Sequence, residues 1–170
     1  NGEGLFEELA KKSIDIHDMA LMSLYTGMRF SEVAGLRWAD VDLFRGVIMI
    51  TNTKSRKNRP AYITHEVKKM LSGRGQGERE DLVFPPARGD RKKPRPLIGN
   101  TYYNTVNILF NQDLTDKKLR VDFHTLRHTF ASWLVEKGTD LYLIKELLGH
   151  SDLKVTERYA HIGDNQLRQA

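Results

Sequence analysis

Two residues suited to phosphate chemistry, His124 and Arg127, lie three positions apart at the start of a segment with helical periodicity. Side chains at positions i and i+3 of a helix share a face, whereas Leu126 and Phe130 belong to the opposite, core-facing side. A guanidinium offers a planar fork of donors, and an imidazole can donate or accept a proton near neutral pH. The pair predicts a site that grips one phosphate, although an ordinary surface pair fits the same spacing.

Three further candidates are separated from this pair in the sequence. Arg29 lies between a helix stop and a helix start, where Glu32 could orient it or another catalytic group. His150 follows a glycine that ends a helix, in a turn where a side chain can face a ligand. Tyr159 is surrounded by Arg and His residues and could act as an oxygen nucleophile. Taken singly, an ion-paired arginine, an exposed histidine and a packed tyrosine explain these residues equally well.

Metal chemistry has weaker support. His128 lies four positions after His124, which is the spacing of two ligands on one helix face, and His150 is the third candidate. The acid that usually accompanies such a pair is missing, so we expect no metal and assign His128 to bracing the helix by hydrogen bonding. The chain contains no cysteine, which excludes disulfides, thiolate catalysis and cysteine-ligated zinc.

The composition predicts one globular domain over residues 1–170. The chain is 39% hydrophobic and 29% charged, with a net charge of +5, and its pI is near 9.4. No apolar run is long enough to span a bilayer and no leader segment is visible, so we expect a cytoplasmic protein without a membrane partner. The chain does not begin with Met, which suggests that it is a fragment.

The positive charge is concentrated in two clusters beside turn signals. Such cations can follow a phosphate backbone, but solvated loops have the same composition. The first cluster is Lys54, Arg56, Lys57 and Arg59, and the second is Arg88, Arg91, Lys92, Lys93 and Arg95.

The periodicity predicts an α+β domain that is mostly helical, with one small antiparallel sheet of three strands between residues 38 and 63. Lys54 is expected near the second turn of this sheet. The predicted helices cover residues 14–25, about 31–36, 64–71, 100–111, 124–137, 140–148 and 152–159.

Four segments, in this order, resemble the tyrosine recombinase, or phage integrase, family. Each is modestly specific alone, and the ordered set is strongly specific. The segments are TGMRFSEV at 26–33 with LRWADVD at 36–42, TKS at 53–55, HTLRHTFA at 124–131, and LLGHS at 147–151 with YAH at 159–161.

This resemblance implies the catalytic domain of a site-specific DNA recombinase or integrase with the family's DNA breaking-rejoining fold. Tyr159 would attack a phosphodiester to give a 3′-phosphotyrosyl link, while Arg29 and Arg127 bind the non-bridging oxygens. His124 would help to remove the tyrosine proton and His150 would hydrogen-bond the phosphate. The sixth residue, Lys54 on the hairpin, would protonate the departing 5′-oxygen.

The same resemblance implies that neither a cofactor nor a metal nor ATP is needed. The partner would be double-stranded DNA, with Arg56, Lys57, Arg59, Arg91, Lys92, Lys93 and Arg95 on its backbone. Family members work as homotetramers on DNA, whereas an isolated catalytic domain could be a monomer. They also carry an upstream DNA-binding domain, which we expect to be absent from this fragment.

Two alternatives remain open from the sequence. A type IB-like topoisomerase shares the chemistry but lets one strand swivel, and a non-catalytic DNA-binding domain could retain the fold alone. The presence of all six candidate catalytic residues argues against the second alternative. A metal-dependent nuclease has less support, because no cluster of carboxylates with ligand spacing occurs.

Overall fold

The computed structural model describes residues 2–51 and 58–149. Within these ranges it is, as predicted, a mostly helical α+β domain with one small sheet, and seven α-helices are described. The helices are α1 (Gly2–Lys12), α2 (Ile14–Thr26), α3 (Phe30–Ala34), α4 (His65–Arg74), α5 (Asn100–Val106), α6 (His124–Glu136) and α7 (Leu141–Leu148). A π-helical turn, Asn107–Asn111, extends α5, and 3-10 turns occur at Trp38–Asp40 and Lys117–Leu119.

Local capping chemistry sets several helix ends. The Thr64 side chain accepts a hydrogen bond from the Val67 N–H at the start of α4, and Asp140 accepts from Tyr142 N–H at the start of α7. Left-handed Gly149 ends α7, where a side chain would be strained. The residue types predicted Thr64 and Gly149 at these ends and Thr139 or Asp140 at the start of α7; the structure confirms the first two and places Asp140 at the third.

The sheet has the order β1 (Val41–Asp42), β2 (Val47–Ile50) and β3 (Arg59–Tyr62), and both pairings are antiparallel. In β3, Arg59 and Ala61 are buried while Tyr62 is exposed, which is the alternation of a strand with one face on the core. The return strand was predicted at 61–63, so β3 begins two residues earlier than expected.

Helix α2 lies at the centre of the domain, packed against α1, α3, α4 and α6. Its buried residues include Met19, Ala20 and Met22, each fully inaccessible to solvent. A smaller apolar cluster joins α6 to α7 through Ala131 and Ile144. The central position of α2 places its C-terminal end, immediately before Arg29, inside the fold.

Two features differ from the expectations. Helix α1 was not predicted. Trp133 follows Leu126 and Phe130 at helical spacing, a pattern that predicts a buried stripe on α6, but it is 37% exposed and contacts only the tilted ring of Tyr25 among the described aromatic side chains. The helix predicted at 152–159 lies outside the described residues. Among the helices that the structure describes, none has the length and apolar character required to cross a membrane.

Candidate active site

A glycine turn at the end of α2 places Arg29. Gly27 adopts a left-handed conformation with φ of 72°, and its N–H donates to Ser23 O. The Ser23 hydroxyl donates to Met28 O at 2.8 Å. Arg29 then takes an extended conformation, and its N–H donates to the Glu32 carboxylate at 2.8 Å. The turn thus fixes the backbone on both sides of Arg29, through Met28 O and through the Arg29 N–H.

The start of α6 is fixed by a reciprocal cap. Asp122 N–H donates to the Thr125 hydroxyl at 2.9 Å, and Thr125 N–H donates to the Asp122 carboxylate at 3.0 Å. The Tyr102 hydroxyl donates to Asp122 O at 3.0 Å. The bond from Thr125 N–H satisfies a donor that a helix leaves unpaired in its first turn, and the other two hold Asp122 in place for it, so together they fix the start of the helix at His124.

Aromatic packing joins this helix start to Arg29. The Phe123 ring contacts Phe30, the neighbour of Arg29, edge-on at 5.6 Å between centroids. On its other side Phe123 contacts Tyr102 at 5.3 Å. Edge-to-face packing of this kind has a preferred geometry, so Phe123 positions α6 against α3.

Arg127 is almost completely buried, with 2% of its surface exposed. Its guanidinium donates to Gly27 O at 2.5 Å and to Leu148 O at 2.6 Å. The side chain therefore joins the last turn of α2 to the last turn of α7. It was predicted to share with His124 the face opposite the core; His124 is exposed, whereas the side chain of Arg127 is buried.

The three described candidates surround one cavity. Its volume is about 220 Å³, and its walls include Arg29, His124 and Arg127. The Nη1 atom of Arg29 is buried and has no hydrogen-bond partner among the described residues, although it lies 3.7 Å from a Glu32 carboxylate oxygen. A buried cationic donor without an acceptor is costly, and an anionic oxygen in the cavity would satisfy it.

Burial shapes the electrostatics of this cavity. It lowers the pKa of Arg29 below the usual 12.5, against the opposing effect of the Glu32 carboxylate. Burial likewise lowers the pKa of His124 below 6.5, and the positive charges of His128 and Arg127 lower it further. His124 is therefore neutral near pH 7 and able to accept a proton.

His128, which is expected to brace the helix, contacts the other histidine of its helix face. Its ring contacts the His124 ring edge-on, with 4.5 Å between centroids. Within residues 2–51 and 58–149, no group of three His, Cys, Asp or Glu side chains could hold a metal ion.

One predicted DNA-contacting residue is placed elsewhere. Arg59 is 5% exposed, and its guanidinium binds both oxygens of the Glu32 carboxylate at 2.6 and 2.8 Å. The prediction that Arg59 belongs to an exposed basic cluster is therefore wrong. The sequence held a signal, because Arg59 lies two positions before the inward-facing Ala61 on the same strand and must share its face.

The second basic cluster divides into two parts. Arg91, Lys92 and Lys93 are exposed, as expected. Arg95 has only 14% of its side chain exposed and pairs with Asp15 at 3.2 Å, so its guanidinium holds the loop to α2 instead of extending into solvent. The assignment of Arg95 to a DNA-contacting surface is corrected on this ground.

The remaining candidates lie outside the described residues. They are Lys54, Arg56, Lys57, His150 and Tyr159. The described chain reaches their neighbours, since Leu148 and Gly149 precede His150 and Thr51 precedes the hairpin loop. Their proposed roles stay predictions.

Sequence reasoning missed part of the cavity wall. Ser23, Tyr103, Asp122 and Phe123 line it together with the predicted residues. Asp122 carried a recognisable signal, because Asp three residues before Thr125 at a helix start is a capping pattern. Tyr103 carried none, since its approach depends on how α5 packs beside α6.

Comparison with known proteins identifies the fold and the family. A profile described as Phage integrase family matches residues 2–166. Tyrosine recombinase XerA of Thermococcus kodakarensis is 35% identical over 157 residues, covering 89% of this chain and 53% of that protein. The chain spans about half the length of the curated relatives it matches.

Solved structures agree. The catalytic domain of bacteriophage HP1 integrase is 31% identical, with a TM-score of 0.66, covering 99% of this chain and 88% of that one. The Tn1549 transposon integrase, in complex with transposon right end DNA, has a TM-score of 0.74 at 19% identity, covering 98% and 64%; this likeness concerns the fold alone. Because the family profile matches nearly the whole length of this chain, the chain belongs to the phage integrase family.

Proposed function

We propose that this chain is the catalytic domain of a site-specific recombinase that breaks and rejoins double-stranded DNA through Tyr159. The observation that carries the proposal is the convergence of Arg29, His124 and Arg127 on one cavity. They come from segments about 100 positions apart, and Arg29 presents a buried donor for which the described part of the chain offers no hydrogen-bond partner.

The chemistry begins with the phosphate. Arg29 and Arg127 place two positive charges at the cavity, where they stabilise the charge that develops on the non-bridging oxygens. Removing one such donor commonly costs about 3 kcal/mol, or roughly a hundredfold in rate. His150 adds a hydrogen bond to the same phosphate in this proposal.

Two proton transfers accompany strand cleavage. The Tyr159 oxygen bonds to phosphorus as the bond from phosphorus to the 5′-oxygen breaks, and the product is a 3′-phosphotyrosyl ester. His124, neutral near pH 7 because of its lowered pKa, accepts the phenol proton, and Lys54 gives a proton to the 5′-oxygen. One phosphodiester replaces another, so no ATP is consumed, and a hydroxyl from another strand reverses the step.

Trapping the covalent intermediate tests the proposal. The protein is incubated with a pool of nicked duplexes whose sequence around the nick is randomised, so that the short cleaved strand diffuses away. We expect an adduct stable in denaturing gel electrophoresis, which Tyr159→Phe abolishes while DNA binding persists. Tyr142→Phe, which changes an exposed tyrosine of α7, is the matched control. An adduct formed by Tyr159→Phe would contradict the assignment of the nucleophile.

Adduct formation is also expected to continue in excess EDTA, because the two guanidinium groups supply charge stabilisation that divalent metals supply elsewhere. Loss of the adduct on chelation would contradict this part of the proposal.

Sequences recovered from the trapped pool then allow strand exchange to be compared with relaxation of a supercoiled plasmid. Relaxation without exchange would favour a topoisomerase.

We propose further that the protein acts in the cytoplasm, as a homotetramer on DNA and as a monomer without it. Sedimentation of the protein with and without a recovered target duplex tests the assembly, and an unchanged protein stoichiometry on DNA would contradict it.

A further inference from the structure

The carboxylate of Glu32 lies between two arginines. Its side chain is 1% exposed. Oε1 accepts hydrogen bonds from Arg29 N–H at 2.8 Å and from Arg59 Nη2 at 2.8 Å. Oε2 accepts from Arg59 Nη1 at 2.6 Å. Arg59 therefore binds both oxygens, and Arg29 reaches the carboxylate by a hydrogen bond through its backbone.

The Glu32 carboxylate accepts hydrogen bonds from the Arg59 guanidinium but not from the Arg29 guanidinium. Arg29 Nη1 lies 3.7 Å from Glu32 Oε2, beyond hydrogen-bond distance, and within residues 2–51 and 58–149 this buried atom has no hydrogen-bond partner. A buried carboxylate without a bidentate partner would draw the nearest cation to it. Here that partner is Arg59, so Arg29 stays unpaired by hydrogen bonds beside the cavity.

Arg59 is also held from a third direction. Its Nε donates to Leu147 O at 3.1 Å in the last turn of α7. A Cβ at Gly149 would lie 2.8 Å from Arg59 Nη1, so the close approach of this turn depends on glycine. The Arg59 guanidinium is thus held in one place by three groups. If the Glu32 carboxylate turned toward Arg29, the Arg59 guanidinium could not move with that carboxylate.

We propose that Arg59 is a positioning residue that occupies the Glu32 carboxylate and so keeps the Arg29 guanidinium available for a phosphate. The proposal rests on the proposed function in identifying the anion as the DNA phosphate. Without Arg59, the Glu32 carboxylate pairs with Arg29 and withdraws it from the cavity. A lysine at 59 would neutralise Glu32 but could not bind both oxygens with a planar fork.

Inorganic phosphate is the probe that tests this inference without a known DNA target. Its affinity is measured by NMR titration of the arginine side-chain signals of the full chain, and Arg29→Met defines the part that depends on Arg29. We expect Arg59→Met to weaken that part by about tenfold or more, the value of one hydrogen bond to a charged group. The double variant Arg59→Met with Glu32→Gln should recover most of the loss, because no carboxylate remains to capture Arg29.

Arg74→Met is the matched control for loss of a buried arginine. Arg74 binds the carboxylates of Asp18 at 2.7 Å and Asp15 at 2.9 Å, and its Nε donates to Val83 O at 3.2 Å, so its bonding resembles that of Arg59. It lines no part of the Arg29 cavity. Arg74→Met should lower the unfolding free energy and leave phosphate affinity unchanged, which separates positioning from stability.

The outcomes distinguish the inference from the proposed function. Wild-type affinity in folded Arg59→Met, or a double variant no better than the single one, would overturn the inference. Should Arg59→Met not fold, Arg59→Lys takes its place, with an intermediate affinity expected and a wild-type affinity contradicting the inference. If wild-type binding does not depend on Arg29, the phosphate site itself is contradicted, and with it the proposed function.

Discussion

Arg127 on α6 donates hydrogen bonds to Gly27 O and Leu148 O, so one side chain joins the ends of two helices that precede Arg29 and His150. Arginines can satisfy the carbonyls that a helix leaves unpaired at its C-terminus. The residue proposed to bind phosphate is therefore also part of the framework that positions two other proposed phosphate ligands. Binding and stability are coupled at this residue.

Replacing Arg127 by Met should accordingly destabilise the fold. Two buried carbonyls lose their donor, at about 1–3 kcal/mol each, and the lost unfolding free energy should reach about 3 kcal/mol. Chemical denaturation measures it. Arg120→Met, at an exposed arginine that donates to Asn107, is the control and should stay within about 0.5 kcal/mol of wild type. Equal losses in the two variants would contradict the framework role.

Gly27 offers a second test of this framework. A Cβ at Gly27 would collide with the Phe130 ring, and φ is 72°. Gly46 has the same φ with nothing within 4 Å of its Cβ. Gly46→Ala should therefore lose only the cost of a left-handed residue, about 1–2 kcal/mol. Gly27→Ala should lose more, because the Phe130 ring must move. Thermal unfolding compares them, and equal losses would rule out the steric contribution.

The fold was predictable where its determinants are local. Thr64, Asp140 and Gly149 set helix ends through bonds within a few residues, and these ends were predicted from residue type. Helix α1 was not predicted from the sequence, because the helix is stabilised mainly by packing its apolar residues Leu5 and Leu9 on α2 and α5.

The site was predictable in its residues and not in their contacts. Arg29, His124 and Arg127 were identified by type, spacing and resemblance, and they line one cavity. The bonds of Arg127 to Gly27 and of Arg59 to Glu32 join positions 100 and 27 apart. No local pattern encodes such partners, so Glu32 could not be predicted as the partner of Arg59, although the alternation along β3 indicated that Arg59 faces inward.

His124 should make stability depend on pH. Its pKa is lowered in the folded state, by burial first, so the unfolded chain binds the proton more tightly. The stability that the fold gains from keeping His124 neutral is therefore fully present above pH 6.5, and it is lost as the pH falls through the folded pKa. The stability difference between wild type and His124→Gln should favour wild type more at about pH 7.5 than at about pH 5. Denaturation at both pH values measures it, with His65→Gln, an exposed histidine of α4, as control. A difference independent of pH would contradict the prediction.

The exposed lysines at 92 and 93 should contribute to DNA affinity through their charge alone. Each contact between a lysine and a phosphate releases counterions, so its loss lowers the slope of log affinity against log salt by about 0.9. Lys92→Gln with Lys93→Gln should therefore weaken binding to a fluorescent duplex and reduce the slope by up to about 1.8. Lys68→Gln with Lys69→Gln removes a matched pair of charges from α4, which lines no part of the Arg29 cavity, and should leave the slope nearly unchanged. If the two double variants have the same slope, the loop at 91–93 is a solvated surface that does not contact DNA.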